Sequence, residues 1–318
     1  MIPYLSKEQV SAALPYASLI PALRVAFTQE ISAPKRHAHS LSEEDNSTLL
    51  LMPVWQKQGH LGIKLVTVAP HNRDLPSVHA VFVLFDAQSG APLALMDGEE
   101  LTLRRTAAAS ALASSFASRN DSQHLLLVGN GSLAPHIAVA HCHTRAISNI
   151  TIWGRSAEKS AVAAAKIRQH PECPADIHIH ITEDLPTACG QADMISCVTT
   201  SQTPIVLGQH VRSGTHLDLV GGFKPDMREV DDALMRRATV FVDTYAGAMA
   251  EAGDLTQTLE NGSLMRSAIV AELAELCAGT HAGRQDSQDI TVFKSVGTAI
   301  EDLCAANLAW ESWQKAAS

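Results

Sequence analysis

The stretch "LLLVGNGSLAPHIAVAHC", Leu125 to Cys142, takes four apolar residues into Gly-Asn-Gly and then into a helix-like segment. Gly129-Asn130-Gly131-Ser132-Leu133-Ala134 fits GxGxxA at a strand-to-helix junction, the arrangement of a dinucleotide-binding βαβ unit. Each small residue has a physical task. Gly129 permits the tight turn, Gly131 lets backbone approach a pyrophosphate, and Ala134 allows close packing of helix on strand. The helix start at Ser132 and Leu133 offers unpaired N–H groups and a positive dipole end to phosphates. Pro135 is compatible with that helix because it falls in the first turn.

Outward from this junction the chain keeps one rhythm. "NITIWG" and "SAEKSAVAAAKIRQ" form the next strand and helix, followed by the apolar runs "DIHIHI", "ADMISCV", "THLDLVG" and "TVFVDT". Such alternation marks a parallel sheet with crossover helices. The fold class is therefore α/β, with a Rossmann dinucleotide-binding domain expected over residues 120–295. The earlier part differs: "STLLLMPVW", "GIKLVTVAP", "AVFVLFD" and "PLALMDG" are separated by short turn signals, which predicts a mostly antiparallel or mixed sheet. An Ala-rich helix, "RRTAAASALASSFASR", follows, capped by the carboxylates of "DGEELT". The last segment, "GTAIEDLCAANLAWESWQKA", predicts one long amphipathic helix that folds back on the first domain. Residues 1–119 with 296–318 are thus expected to form a discontinuous α+β domain.

The second strand of a Rossmann unit selects the nucleotide. An NAD site usually places Asp or Glu at its tip, on the ribose hydroxyls. Here the tip reads "TIWGRSAEKS", with Arg155 and Ser156 in that place. A guanidinium offers a planar donor fork to a 2′-phosphate, and Ser156 adds a hydroxyl. The coenzyme expected is NADPH, with NADH also possible.

Composition excludes several function classes. The 318 residues are 46% hydrophobic and 18% charged, with a formal net charge of −9, which argues against a nucleic-acid or anionic-membrane surface. No apolar run is long enough to span a bilayer, and "MIPYLSKEQV" lacks the basic start and apolar core of a secretory signal. The six cysteines form no CxxC pair and read as reduced, mostly buried thiols of a cytoplasmic protein. His178 and His180 of "IHIHI" lie on one strand face and read as surface residues; "HCH" adds His141 and His143, and no metal is expected. "PDMREVDDALMRRA" reads as a loop entering an amphipathic surface helix, and Trp310 and Trp313 as packing or dimer contacts.

Four stretches outside the glycine loop carry a resemblance. "GIKLVTVAPHNRDLPSVHAVFVLFDAQSGAPLALMDGEELTLRRTAAASALAS" and "FKSVGTAIEDLCAANLAWESW" look like the ornithine cyclodeaminase/mu-crystallin family, as do "GTHLDLVGGFKPDMREVDDALM" and "VFVDT…EAGDL". The resemblance implies a homodimer, with the N-terminal segment and C-terminal helix forming a substrate-binding and dimerisation domain. It also implies that an amino-acid carboxylate is held at Arg36, Lys64 and Arg105. Met52 and Ser77 are further substrate-side residues by resemblance; Thr199, Val220 and Ser295 belong to the coenzyme side on the same ground.

Departures within the family choose the reaction. Cyclodeaminases resemble "GGDxPGKTEL" where this chain has "GGFKPDMREVD", with Phe223 at the position of the proton-handling Asp. They have Asp-Ser-Val-Gly where this chain has Lys294-Ser295-Val296-Gly297. Both departures resemble the ketimine reductase branch, which implies NAD(P)H-dependent reduction of a small cyclic imino acid: Δ1-pyrroline-2-carboxylate to L-proline and Δ1-piperideine-2-carboxylate to L-pipecolate. Arginine suits the bidentate capture of a carboxylate. Lys64, its pKa lowered beside two arginines, is read as a third carboxylate contact or as the proton donor. His79 is read as a structural strand histidine. The alternatives are an ornithine cyclodeaminase, a non-catalytic NADP-dependent binding protein and an alanine-dehydrogenase-like reductive amination.

Overall fold

A computed structural model describes residues 1–42, 44 and 46–317. The chain divides into two compact units, Met1–Thr106 with Thr298–Ser318, and Ala107–Gly297. They part within one helix, whereas the expected boundary lies at the turn signal thirteen residues on, because an uninterrupted helix carries no sequence mark of where its packing partners change.

The first unit contains β1 (Tyr4–Leu5), α1 (Lys7–Ala13), α2 (Tyr16–Ala26), β2 (Ile31–Ser32), β3 (His37–Ser42), β4 (Ser47–Gln56), β5 (His60–Val68), β6 (Val78–Asp86), β7 (Pro92–Asp97) and the start of α3 (Gly98–Ala117). Its sheet runs β1-β7-β6-β5-β4-β2, with β3 also on β4; among the described residues only the β1–β7 pair is parallel. The Asp97 side chain accepts the Glu100 N–H at 2.8 Å, so α3 begins at "GEEL", ahead of the Ala-rich run.

Register places Met52, Lys64, Phe82 and Met96 side by side on one face. All four are buried. Gly62 makes room there, since a Cβ would stand 2.2 Å from the Phe82 ring. The long C-terminal helix of this unit, Ala299–Ala317, lies against β4, β5 and β6. On the opposite face Leu51, Ile63, Leu65, Val81 and Val83 form an apolar, half-buried patch.

The second unit contains β8 (His124–Val128), α4 (Leu133–Cys142), β9 (Asn149–Trp153), α5 (Ala157–Gln169), β10 (His178–Thr182), α6 (Leu185–Gln191), β11 (Met194–Cys197), β12 (His216–Leu219), α7 (Asp232–Met235), β13 (Ala238–Val242), α8 (Tyr245–Glu251), α9 (Gly253–Glu260), β14 (Ile269–Glu272), α10 (Leu273–Ala278) and β15 (Ile290–Lys294); the C-terminal helix of the first unit is then α11. Its sheet is wholly parallel, in the order β10-β9-β8-β11-β12-β15-β13-β14. The order reverses between β8 and β11, the switch point where doubly wound sheets bind ligands. Strands β14 and β15 go beyond those expected from the sequence, and β15 enters between β12 and β13.

Two local expectations need correction. "PDMREVDDALMRRA" yields only the four-residue α7, and Leu234 and Met235 are fully buried, because this segment packs into the core of its unit. His141 is also fully buried, held by Ser114 at 3.2 Å and Ser196 at 3.1 Å, whereas His178 and His180 are exposed on edge strand β10. His79 is exposed, beside the loop that joins β5 to β6. The six cysteines are free thiols, three of them buried and three half-buried. Trp310 and Trp313 stack at 5.1 Å between ring centroids. Among the described residues, no helix is long and apolar enough to cross a membrane.

Candidate active site

In the first unit, alternation along β5 turns Gly62, Lys64 and Val66 to the helix-covered face. Lys64 is only 2% exposed, and its ammonium donates to Asp302 Oδ1 at 2.8 Å and Thr102 Oγ1 at 3.1 Å. Arg105 ion-pairs with Glu301 at 2.5 Å and with Asp302 at 2.9 Å. Arg36, half-buried, acts electrostatically on both Lys64 and Asp302. Met52 is the cross-strand partner of Lys64 and supplies an apolar wall.

The adjacent arginines divide their work because consecutive helical residues point about 100° apart. Arg104 is held by Glu100 at 2.8 Å, by the Leu14 carbonyl and Ser11, and its guanidinium lies 5.4 Å from the Tyr16 ring centre. It is structural. Arg105 points into the cluster.

Three cationic side chains, Arg36, Lys64 and Arg105, gather with the carboxylates of Glu301 and Asp302. Burial lowers the Lys64 pKa, Arg105 lowers it further and Asp302 opposes both, bringing the ammonium to about 8. Burial pushes the Asp302 carboxyl up, but Lys64 and Arg105 outweigh this and hold it below the usual carboxylate range. Glu301 and Asp302, counter-ions in "AIED", are not among the site residues expected from the sequence. Ser77 stands apart from this cluster, exposed, with its carbonyl accepting the Ala69 N–H at 2.7 Å.

In the second unit, the glycine loop follows β8 at the switch point. Gly129 has φ +118°, and a Cβ there would lie 2.8 Å from the Val198 carbonyl oxygen, so only glycine fits without strain. Space above Gly131 is open for 4 Å. Ser132 is exposed at the N-terminus of α4, Leu133 is half-buried, and Ala134 is fully buried where helix meets strand. This is a cradle that fits a dinucleotide pyrophosphate. Asn130 ties the loop to the second strand tip, donating to the Ser156 carbonyl at 3.0 Å and to Ser160 Oγ at 3.1 Å.

Arg155 is exposed at that tip. The Ser156 hydroxyl accepts the Lys159 N–H at 3.2 Å as the N-cap of α5, leaving its own proton to donate. Thr199 follows β11 and donates through both N–H and hydroxyl to Glu229. Val220 is buried beyond β12, Ser295 is buried beyond β15, and Phe223 is 39% exposed in the loop after β12.

The profile of the ornithine cyclodeaminase/mu-crystallin family matches residues 4–317. The chain belongs to that family. It is 39% identical to a Δ1-pyrroline-2-carboxylate reductase of Colwellia psychrerythraea, over 95% of this chain and 96% of that one. It is 33% identical to the enzyme of the same name from Bacillus thuringiensis, over 93% of this chain and 90% of that one. Among solved structures, the Δ1-pyrroline-2-carboxylate reductase of Thermococcus litoralis, in complex with NADH and L-proline, superposes with a TM-score of 0.94 at 32% identity, covering 99% of this chain and 98% of that one.

Proposed function

We propose that this family member is an NAD(P)H-dependent cyclic ketimine reductase, converting Δ1-pyrroline-2-carboxylate to L-proline and Δ1-piperideine-2-carboxylate to L-pipecolate. The observation that carries this reading is the Arg36–Lys64–Arg105 cluster, in which buried Lys64 and Arg105 and half-buried Arg36 offer cationic groups to a carboxylate. The names of the relatives and the proline-bound neighbour support the same substrate class.

A reduced nicotinamide coenzyme, when bound, supplies hydride for C2 of the imine; the nitrogen takes a proton, and the C=N bond becomes C–N. Arg105 and Arg36 orient the substrate through its carboxylate, each charge-assisted bond contributing about 1.5–3 kcal/mol. Fixing the carboxylate fixes the presentation of C2. Lys64 serves as a third carboxylate contact or as the proton donor to nitrogen. Both roles need the ammonium form, which its pKa of about 8 maintains at neutral pH.

On the coenzyme side, Gly129, Gly131, Ser132, Leu133 and Ala134 hold the pyrophosphate, and Thr199, Val220 and Ser295 line the nicotinamide end. Arg155 and Ser156 favour the 2′-phosphate of NADPH, with NADH also accepted. The apolar face bearing Leu51, Ile63 and Leu65 supports a homodimer. The free thiols support a cytoplasmic location, and the substrates suit amino-acid breakdown, including that of hydroxyproline.

Steady-state reduction of both imines with each coenzyme tests the reading. Turnover of at least one imine, with no ammonia released from L-ornithine, is expected. Tight NADPH binding without turnover of either imine overturns it in favour of a binding protein.

A further inference from the structure

One carboxylate in the second unit gathers several strand tips. Glu229 is fully buried, and its Oε1 accepts from the Thr199 N–H at 2.8 Å and the Thr199 hydroxyl at 2.9 Å. Its Oε2 accepts from the N–H groups of Gly221 at 2.9 Å and Gly222 at 3.2 Å. Thr199 lies beyond β11, which borders the switch point, and the two glycines lie just beyond β12. Glu229 is held in turn: its N–H donates to Asp254 Oδ1 at 2.8 Å, and Asp254 Oδ2 faces the Lys294 ammonium, at the end of β15, at 3.3 Å.

The packing leaves no slack. A Cβ on Gly221 would lie 1.9 Å from the Thr199 carbonyl oxygen, and one on Gly222 would lie 2.8 Å from Asp254 Oδ2. The "GG" of this loop is therefore glycine so that two loops can close on a single carboxylate.

We propose that Glu229 is a positioning residue for the coenzyme: its ionised carboxylate latches the loops after β11 and β12, and its protonation releases them and weakens coenzyme binding. The chemistry is one of acceptor count. An ionised carboxylate accepts all four donors, whereas a protonated one turns an O–H toward one of them. The charged and titratable groups facing Glu229 are Lys294 from β15, Asp254 from α9 and the buried Cys197 thiol from β11. Neighbouring Arg228 is committed to Asp232 and the Val230 carbonyl. Burial pushes the Glu229 carboxyl up to about 7, with Lys294 opposing and Asp254 reinforcing. The latch therefore works at neutral and higher pH and opens as pH falls through about 7.

The inference rests on the nicotinamide-binding part of the proposed function and is tested without an imine. NADH affinity is measured by fluorescence titration of the full chain from pH 6 to 9, in wild type, Glu229→Gln and Glu229→Asp; NADH avoids the 2′-phosphate, which titrates near pH 6. We expect wild-type affinity to fall at least threefold from pH 8 to pH 6. Glu229→Gln should bind at least tenfold more weakly at pH 8 without that pH dependence, and Glu229→Asp should restore part of both. Steady-state rates should show the change in the coenzyme KM, with the imine KM moved less than twofold. Flat wild-type affinity, or Glu229→Gln affinity within twofold of wild type at pH 8, overturns the proposal. Should the glutamine variant fail to fold, the wild-type profile and the aspartate variant decide. A Glu229-dependent NADH profile without imine turnover would refute the reductase reading and leave the latch standing; imine turnover with an unaltered glutamine variant would do the reverse.

Discussion

Replacing Asp302 with asparagine preserves the size of the side chain and removes one of the two negative charges facing Lys64 and Arg105. In wild type, Lys64 sits at about 8 despite burial and a neighbouring arginine because Asp302 opposes them from 2.8 Å. Removing one partner of a buried pair costs about 3–5 kcal/mol, and about 1.4 kcal/mol corresponds to one pKa unit. The asparagine carbonyl keeps a hydrogen bond, so the lower end applies and the ammonium falls by about two units. At pH 7.5 the protonated fraction of Lys64 then drops from about three quarters to about one thirtieth, a loss of roughly 25-fold. The assay is kcat/KM for Δ1-pyrroline-2-carboxylate from pH 5 to 9.5 at saturating coenzyme. Wild-type activity should decline as pH rises through about 8, where Lys64 loses its proton. The variant should show the same decline about two units lower. Titration of the free imine contributes equally to both profiles, so the displacement between them is the readout. Superimposable profiles, with kcat/KM within twofold at pH 7.5, would refute the claim that Asp302 maintains the charge of Lys64.

Other substitutions probe the remaining parts. Gly129→Ala forces a methyl group to within 2.8 Å of the Val198 carbonyl at φ +118°; a strain of about 1–3 kcal/mol and loss of NADH binding should appear in denaturant melts and titrations, and unchanged values would contradict the turn geometry. Arg155→Ala should raise the NADPH KM about 10- to 100-fold and leave that for NADH nearly unchanged; equal effects on the two would defeat the 2′-phosphate assignment. Ile63→Asp, on the half-buried apolar face of β5, should convert a dimer to monomer in sedimentation equilibrium, whereas an unaltered mass would remove that face from the interface.

The nucleotide-binding half was legible because its signals are local. A glycine at positive φ, a small residue at a helix–strand contact and a run of alternating strands and helices involve residues only a few positions apart. By the same logic Asp97 was readable as the cap of α3. Strand β5 shows where local pattern stops. Leu61, Ile63 and Leu65 are more apolar than Gly62, Lys64 and Val66, so alternation alone would turn the lysine to water. Packing of α11 turns it inward instead. Resemblance to a family, rather than periodicity, singled out Lys64.

The sequence alone determined the α/β class, the switch-point loop and the residue types able to hold an anion. Tertiary structure decided their chemical state. Asp302 lies 238 residues from Lys64, and Glu229 lies 30 from Thr199, yet these contacts set which groups are charged and which loops are joined. The physical reason is that a protonation state depends on the charges and dipoles within a few ångströms and on the exclusion of water. Neither quantity exists for a side chain until distant segments have packed around it.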